Sequence, residues 1–116
     1  MTAPALTLYH FATCPYCARV RRALADLDLE IELRDIHADP AALDALVRAQ
    51  GRPTVPVLHI RDEDEPRWMP ESADIVTYLY DRFGQGRSPP LSLRIHPQVW
   101  IAAAVVLLII VLRMLS

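Results

Sequence analysis

Cys14-Pro15-Tyr16-Cys17 stands between an apolar run, Leu6–Phe11, and a stretch with helical periodicity, Ala18–Leu27. That position restricts what the chain can fold into more than any other feature. It places two thiols one helical turn apart, at the point where a strand hands over to a helix. The first amides of a helix are unpaired, and its N-terminus carries partial positive charge. A thiolate, the form that attacks disulfides, is stabilised there. Pro15 suits the first helical position, where its missing N–H costs nothing. Half of a zinc site is the alternative for such a pair. A structural zinc needs four protein ligands, but the chain has no second Cys pair, and His10, His37, His59 and His96 lack ligand spacing. A redox pair is the better reading, and no metal is expected.

Around this junction the patterning predicts a strand at Thr7–Phe11 and a helix at Pro15–Leu27. Val20, Ala23, Leu24 and Leu27 share one face of that helix. Ile31–Ile36 alternates apolar and charged residues and reads as a second strand. Asp39 caps a second helix that Pro40 starts and Gly51 closes after Gln50. Val57–Arg61 and Arg67–Met69 read as strands joined by a turn at Asp62–Pro66, and Ser72–Phe83 as a third helix ended by Gly84. This order describes an α/β fold, a four-stranded mixed sheet with three helices on its two faces. The crossover makes the first two strands parallel, and the last hairpin is antiparallel.

The far end carries a second strong signal. Val99–Leu112 is a run of 14 residues without a polar group, opened by Trp100 and followed by Arg113. Extended to its flanks, with Arg113 snorkelling, it reads as a transmembrane helix. A buried core helix is one alternative, but so small a domain has too little interior to surround a helix that is apolar on every side; burial between subunits is the other. The division expected is a domain at 1–83, a linker at 84–97 rich in Pro, Gly and Ser, and a membrane anchor at 98–116. Arg82, Arg87 and Arg94 precede the apolar run and only Arg113 follows it, which puts the domain on the cytoplasmic side.

Charge and cysteine usage narrow the function classes. The 14 acidic residues all precede residue 98, as do 11 of the 12 basic ones, so the soluble part carries about −3. Every basic residue is Arg, and none forms a stripe, so nucleic-acid binding has no support. Asp62-Glu63-Asp64-Glu65 reads as a solvated hairpin loop. Two cysteines in one motif suit a reducing compartment, where such pairs tend to be catalytic.

The chain resembles a glutaredoxin of the thioredoxin-fold superfamily. The resemblance rests on Cys14-Pro15-Tyr16-Cys17, on Thr54-Val55-Pro56 before a strand, and on Glu71-Ser72-Ala73-Asp74 opening a helix. It covers about residues 5–83, and the Glu-Ser pair is similar to that of glutathione transferase N-terminal domains. The resemblance implies a thioredoxin-like fold and a cis bond before Pro56. It also implies that Val55 offers its backbone N–H and C=O to a bound peptide as a short strand. Ser72 reads as a helix cap; by resemblance it also receives the γ-glutamyl carboxylate of glutathione at the same helix start, beside Glu71. Asp74 pairs with the glutathione amino group on the same basis, though Asp is common in a first helical turn. Arg52 is either a partner of the glycyl carboxylate or a solvated loop arginine, and Tyr16 either packs beside the thiols or is a plain exposed aromatic. The sequence departs from the family in two places. Phe11 occupies the position where many glutaredoxins carry Lys, and Met69-Pro70-Glu71-Ser72 replaces a Gly-Gly pair. Arg19, Arg21 and Arg22 read as surface charge.

The resemblance implies a glutathione-dependent thiol–disulfide oxidoreductase, and the apolar C-terminal run a membrane tether for it. Cys14 is the nucleophile, as the thiol nearest the helix end and the more exposed, and Cys17 or glutathione resolves the mixed disulfide. Glutathione is the co-substrate. The partners expected are protein disulfides or glutathionylated proteins, with membrane lipid along the C-terminal helix and a monomeric soluble domain. Two other readings stand beside it, a tethered glutathione- or thiol-binding module without turnover, and iron–sulfur cluster handling by a dimer. A transferase reading is weak, because only about 30 residues follow Phe83.

Overall fold

The computed structural model describes residues 3–63, 65–90, 93 and 97–115, with side-chain surroundings left out at 97–100. Asp64 of the acidic cluster, Arg94 of the charge asymmetry, 91–92 and 94–96 of the linker, and the Trp100 side chain lie outside the described residues. The elements are β1 (Ala5–His10), α1 (Pro15–Asp26), β2 (Glu32–Asp35), α2 (Pro40–Gln50), β3 (Val57–Arg61), β4 (Arg67–Pro70), α3 (Ser72–Phe83) and α4 (Pro97–Leu115).

The strands form one sheet in the order β2-β1-β3-β4. β1 runs parallel to β2, with Leu8 opposite Leu33, and antiparallel to β3, with Leu8 opposite Leu58. The β3–β4 hairpin is antiparallel. Because side chains alternate along a strand, the sheet has two apolar faces. Leu6, Leu8, Leu58 and Ile60 pack with Val20, Ala23 and Leu24 of α1 and Ile75, Val76 and Leu79 of α3. Tyr9 and Val57 face the other way, into a cluster with Ala42 and Leu46 of α2 and with both cysteines. The site thus lies where the cluster under α2 meets the start of α1.

Local signals set the helix ends. Asp39 Oδ1 accepts the Ala41 N–H at 3.0 Å, and Gly51 closes α2 with φ +76, a left-handed conformation that suits glycine. β1 begins two residues earlier than its alternation predicts, because Ala5 and Leu6 pair with Arg61 and Ile60. β2 is shorter at both ends than Ile31–Ile36, since its single partner β1 spans only Thr7–His10 there.

Two findings concern the C-terminal part. Leu93, within the stretch expected to be a linker, is 2% exposed and belongs to the main core cluster. α4 is helical as expected, and its residues 101–115 are all exposed. Among the described residues, however, no helix is long and apolar enough to cross a membrane. The described apolar side chains run from Ile101 to Leu112, before Arg113. Such a stretch rises only about 18 Å, against about 30 Å of hydrocarbon.

Candidate functional site

Cys14 is the N-cap of α1, in extended conformation. Its Sγ accepts the Cys17 backbone N–H at 3.2 Å, and its own N–H donates to the Phe11 carbonyl at 3.2 Å. The sulfur therefore holds the place that a Ser or Asp oxygen takes in an ordinary helix cap. Cys14 is 4% exposed and Cys17 0%. Cys14 is the more exposed thiol, as expected, though both cysteines are buried in the cluster that holds Tyr9, Val55 and Val57. Burial pushes the Cys17 thiol up to about 12, helped by its contacts with Cys14 and opposed by a backbone hydrogen bond at Phe11 and the Arg21 charge. Cys17 is thus a neutral thiol at physiological pH.

Arg21 is not surface charge. Its guanidinium donates to the carbonyls of Ala12 at 3.0 Å and Phe11 at 3.4 Å and lies 3.1 Å from His10 Nδ1, fastening the loop that carries Cys14 to α1. Burial, and then the Arg21 charge, lowers the pKa of His10 against the pull of Asp35. Phe11 stacks on His37 with ring centres 4.2 Å apart.

A cleft of about 230 Å³ runs past the first turn of α1, and neither Cys14 nor Cys17 lines it. Tyr16 and Arg19 line it from α1, Arg52 and Val55-Pro56 from the approach to β3, and Glu71-Ser72 from the start of α3. The Val55–Pro56 bond is cis. The volume is below the range of enclosed small-molecule pockets, so a ligand would lie along it as in a groove. Six residues expected at the site, Tyr16, Arg52, Val55, Pro56, Glu71 and Ser72, are brought together here. Asp74 is not; it is exposed on the first turn of α3 and outside the cleft lining.

The start of α3 differs from the expected cap. Glu71 holds the N-cap position with φ +75 and makes no side-chain cap, and Ser72 is already helical. A positive φ at a residue with a side chain is a strained conformation of the kind found at ligand sites. Ser72 Oγ does not cap the helix; it accepts a hydrogen bond from Arg19 Nη1 at 3.4 Å. Arg19 itself is 5% exposed, and its Nε donates to the Leu93 carbonyl. The reading of Arg19 as surface charge is corrected, while Arg22 is exposed as expected. The helical spacing carried a signal for Arg19: it lies three residues after Tyr16 and four before Ala23, on the buried face. Among the described residues no group of three or more His, Cys, Asp or Glu stands together to hold a metal.

The match to known families follows this geometry. The family model described as glutathione S-transferase, N-terminal domain, matches residues 8–89, from β1 past the end of α3. The chain belongs to that family. This transferase-type N-terminal domain is 35% identical over 74 residues to Glutaredoxin 2 of Escherichia coli K12, covering 64% of this chain and 32% of that protein. The chain thus spans about a third of the length of the curated relatives it matches. Among solved structures, the domain is similar to a maleylacetoacetate isomerase of Anaeromyxobacter dehalogenans with glutathione in its active site, at 26% identity and a TM-score of 0.58. That match covers 81% of this chain and 45% of the isomerase. Glutathione transferase Omega 2S of Trametes versicolor shares the fold, at 21% identity and a TM-score of 0.62, over 87% of this chain and 47% of that one.

Proposed function

We propose that this chain is a glutathione-dependent thiol–disulfide oxidoreductase of the glutaredoxin type, held at a membrane by α4 with its α/β domain on the cytoplasmic side. One observation carries the redox reading: Cys14 Sγ caps α1 and accepts the Cys17 N–H, and Tyr16 between the two thiols lines a cleft walled by cis-Pro56 and Ser72. In the reaction Cys14 attacks the glutathione sulfur of a glutathionylated protein. The S–S bond of that adduct breaks, the protein thiolate leaves and takes a proton, and Cys14 is left joined to glutathione. A second glutathione thiolate then attacks that glutathione sulfur. Glutathione disulfide leaves and Cys14 is regenerated, so one free glutathione is consumed for each protein thiol released, and the disulfide bond passes from the substrate to glutathione disulfide. Val55 offers backbone hydrogen bonds to the tripeptide, the start of α3 with Ser72 receives its γ-glutamyl carboxylate, and Arg52 faces its glycyl end. Asp74 has no role in this scheme. Protein disulfides are the second substrate class, and there Cys17 attacks the mixed disulfide on Cys14.

Because Cys17 is fully buried, release by glutathione is expected to predominate on glutathionylated substrates. Cys14→Ser is expected to abolish reduction of a glutathionylated peptide, and Cys17→Ser to keep most of it. A Cys14→Ser protein that still turns over overturns the assignment. A binding module without turnover is favoured by one observation, the 4% exposure of Cys14, and the same assay separates it, since such a module shows no turnover in the unmodified chain.

The membrane reading draws on the apolar side chains exposed from Ile101 to Leu112, which water disfavours. Arg82 and Arg87 before them favour the cytoplasmic side. Membrane fractionation with carbonate extraction tests it. Retention in the pellet, with the domain digested by protease from the cytoplasmic face, is expected; recovery in the soluble fraction ends the reading.

A further inference from the structure

Arg19 carries a buried positive charge that meets no carboxylate among the described residues. The other buried or bridging arginines are accounted for: Arg34 pairs with Asp39, Arg67 with Asp62 and Arg87 with Asp26, and Arg21 spends its guanidinium on loop carbonyls. Arg19 meets only the Leu93 carbonyl and the Ser72 hydroxyl among the described residues. A cation removed from water without an anion is costly, and this one forms part of the cleft wall. Its contacts also fix the direction of a proton. Arginine can only donate, so Nη1 occupies a lone pair of Ser72 Oγ. The hydroxyl hydrogen is thereby left to point elsewhere, as a donor at the first turn of α3.

We propose that Arg19 is the positioning residue of a carboxylate subsite at the start of α3, turning the Ser72 hydroxyl outward as a donor and supplying the counter-charge behind it. The ligand group it selects is an α-amino acid carboxylate such as the γ-glutamyl end of a peptide thiol. The assignment rests on the glutathione reading above and adds to it the residue that makes the subsite choose an anion. Leu93 completes the device, because its carbonyl holds Nε and so fixes which edge of the guanidinium faces Ser72.

Equilibrium binding by calorimetry of two peptides tests it: glutathione, and the analogue in which 4-aminobutyrate replaces the γ-glutamyl residue and the α-carboxylate is absent. The unmodified protein is expected to prefer glutathione by roughly 10- to 100-fold, the span of a charged hydrogen bond. Arg19→Gln is expected to lose most of that preference while its affinity for the analogue stays within a few-fold of the unmodified protein. A purely structural Arg19 would weaken both peptides alike, and that result overturns the proposal, as does an unchanged preference. Arg19→Lys keeps the cation and covers the case in which Arg19→Gln does not fold. It is expected to retain a preference of several-fold, and equal binding of both peptides by this variant overturns the assignment. If the unmodified protein binds neither peptide, the glutathione reading of the cleft falls, and this assignment with it. Binding of glutathione with loss of both peptides in Arg19→Gln removes the Arg19 assignment alone.

Discussion

Cys17 ties the chemistry of the site to the stability of the fold. Its pKa rises from an ordinary 9.0 to about 12, so the folded protein favours the protonated thiol. That contribution is complete below pH 9 and is lost as pH rises from about 9 to 12, because the unfolded chain releases its proton first. Tyr80 acts with the same sign: burial, and then its hydrogen bond to Asp26, pushes it up to about 12 from an ordinary 10.0. The urea midpoint is therefore expected to fall steadily above pH 9. Cys17→Ala is expected to flatten the part between pH 9 and 10, where Tyr80 does not yet contribute. Circular dichroism across that range checks both. At this scale the sequence made the two sulfurs legible, because their spacing and the Pro between them belong to a helix start. It concealed their burial, which comes from α2 and the segment before β3, both distant along the chain. Arg19 was misread for a related reason: an arginine near a helix start is usually solvated, and only the arrival of Leu93 and Ser72 covers this one.

The elements were the most legible level, since their ends carry explicit signals. Asp39-Pro40 and Gly51 bracket α2 as read. Asp39→Ala is expected to cost about 1 kcal/mol through the lost cap. The half-exposed pair with Arg34 at 3.3 Å adds little to that. Gly51→Ala is expected to cost about 1 kcal/mol as well, and through the backbone alone, because a Cβ there meets nothing within 4 Å. Denaturant midpoints of the two variants at neutral pH check these values. α3 was legible in extent but not in its opening turn. Glu71 takes a conformation with φ +75 that local preference disfavours, so the hinge between β4 and α3 is imposed by tertiary structure. The strand ends moved for the same reason, as pairing across the sheet decided where β1 begins.

At the scale of the whole molecule, Leu93 makes the core depend on chain beyond the last helix of the domain. A truncation after Pro90 removes its buried side chain and the carbonyl that holds Arg19. It is expected to lower stability by about 2–3 kcal/mol. A truncation after His96 keeps both and is expected to leave the urea midpoint unchanged. Equal midpoints for the two truncations would show that Leu93 contributes nothing. The topology was legible because a strand–helix–strand crossover followed by a hairpin admits few arrangements; the docking of Leu93 has no periodic signature and was not. The recess of Cys14 has a consequence for what can react there. A broad, rigid surface would be stopped by the rim before its own sulfur came within bonding reach. A narrow group on a pliant arm would not be, so the 4% exposure of Cys14 selects by girth before any side chain is read.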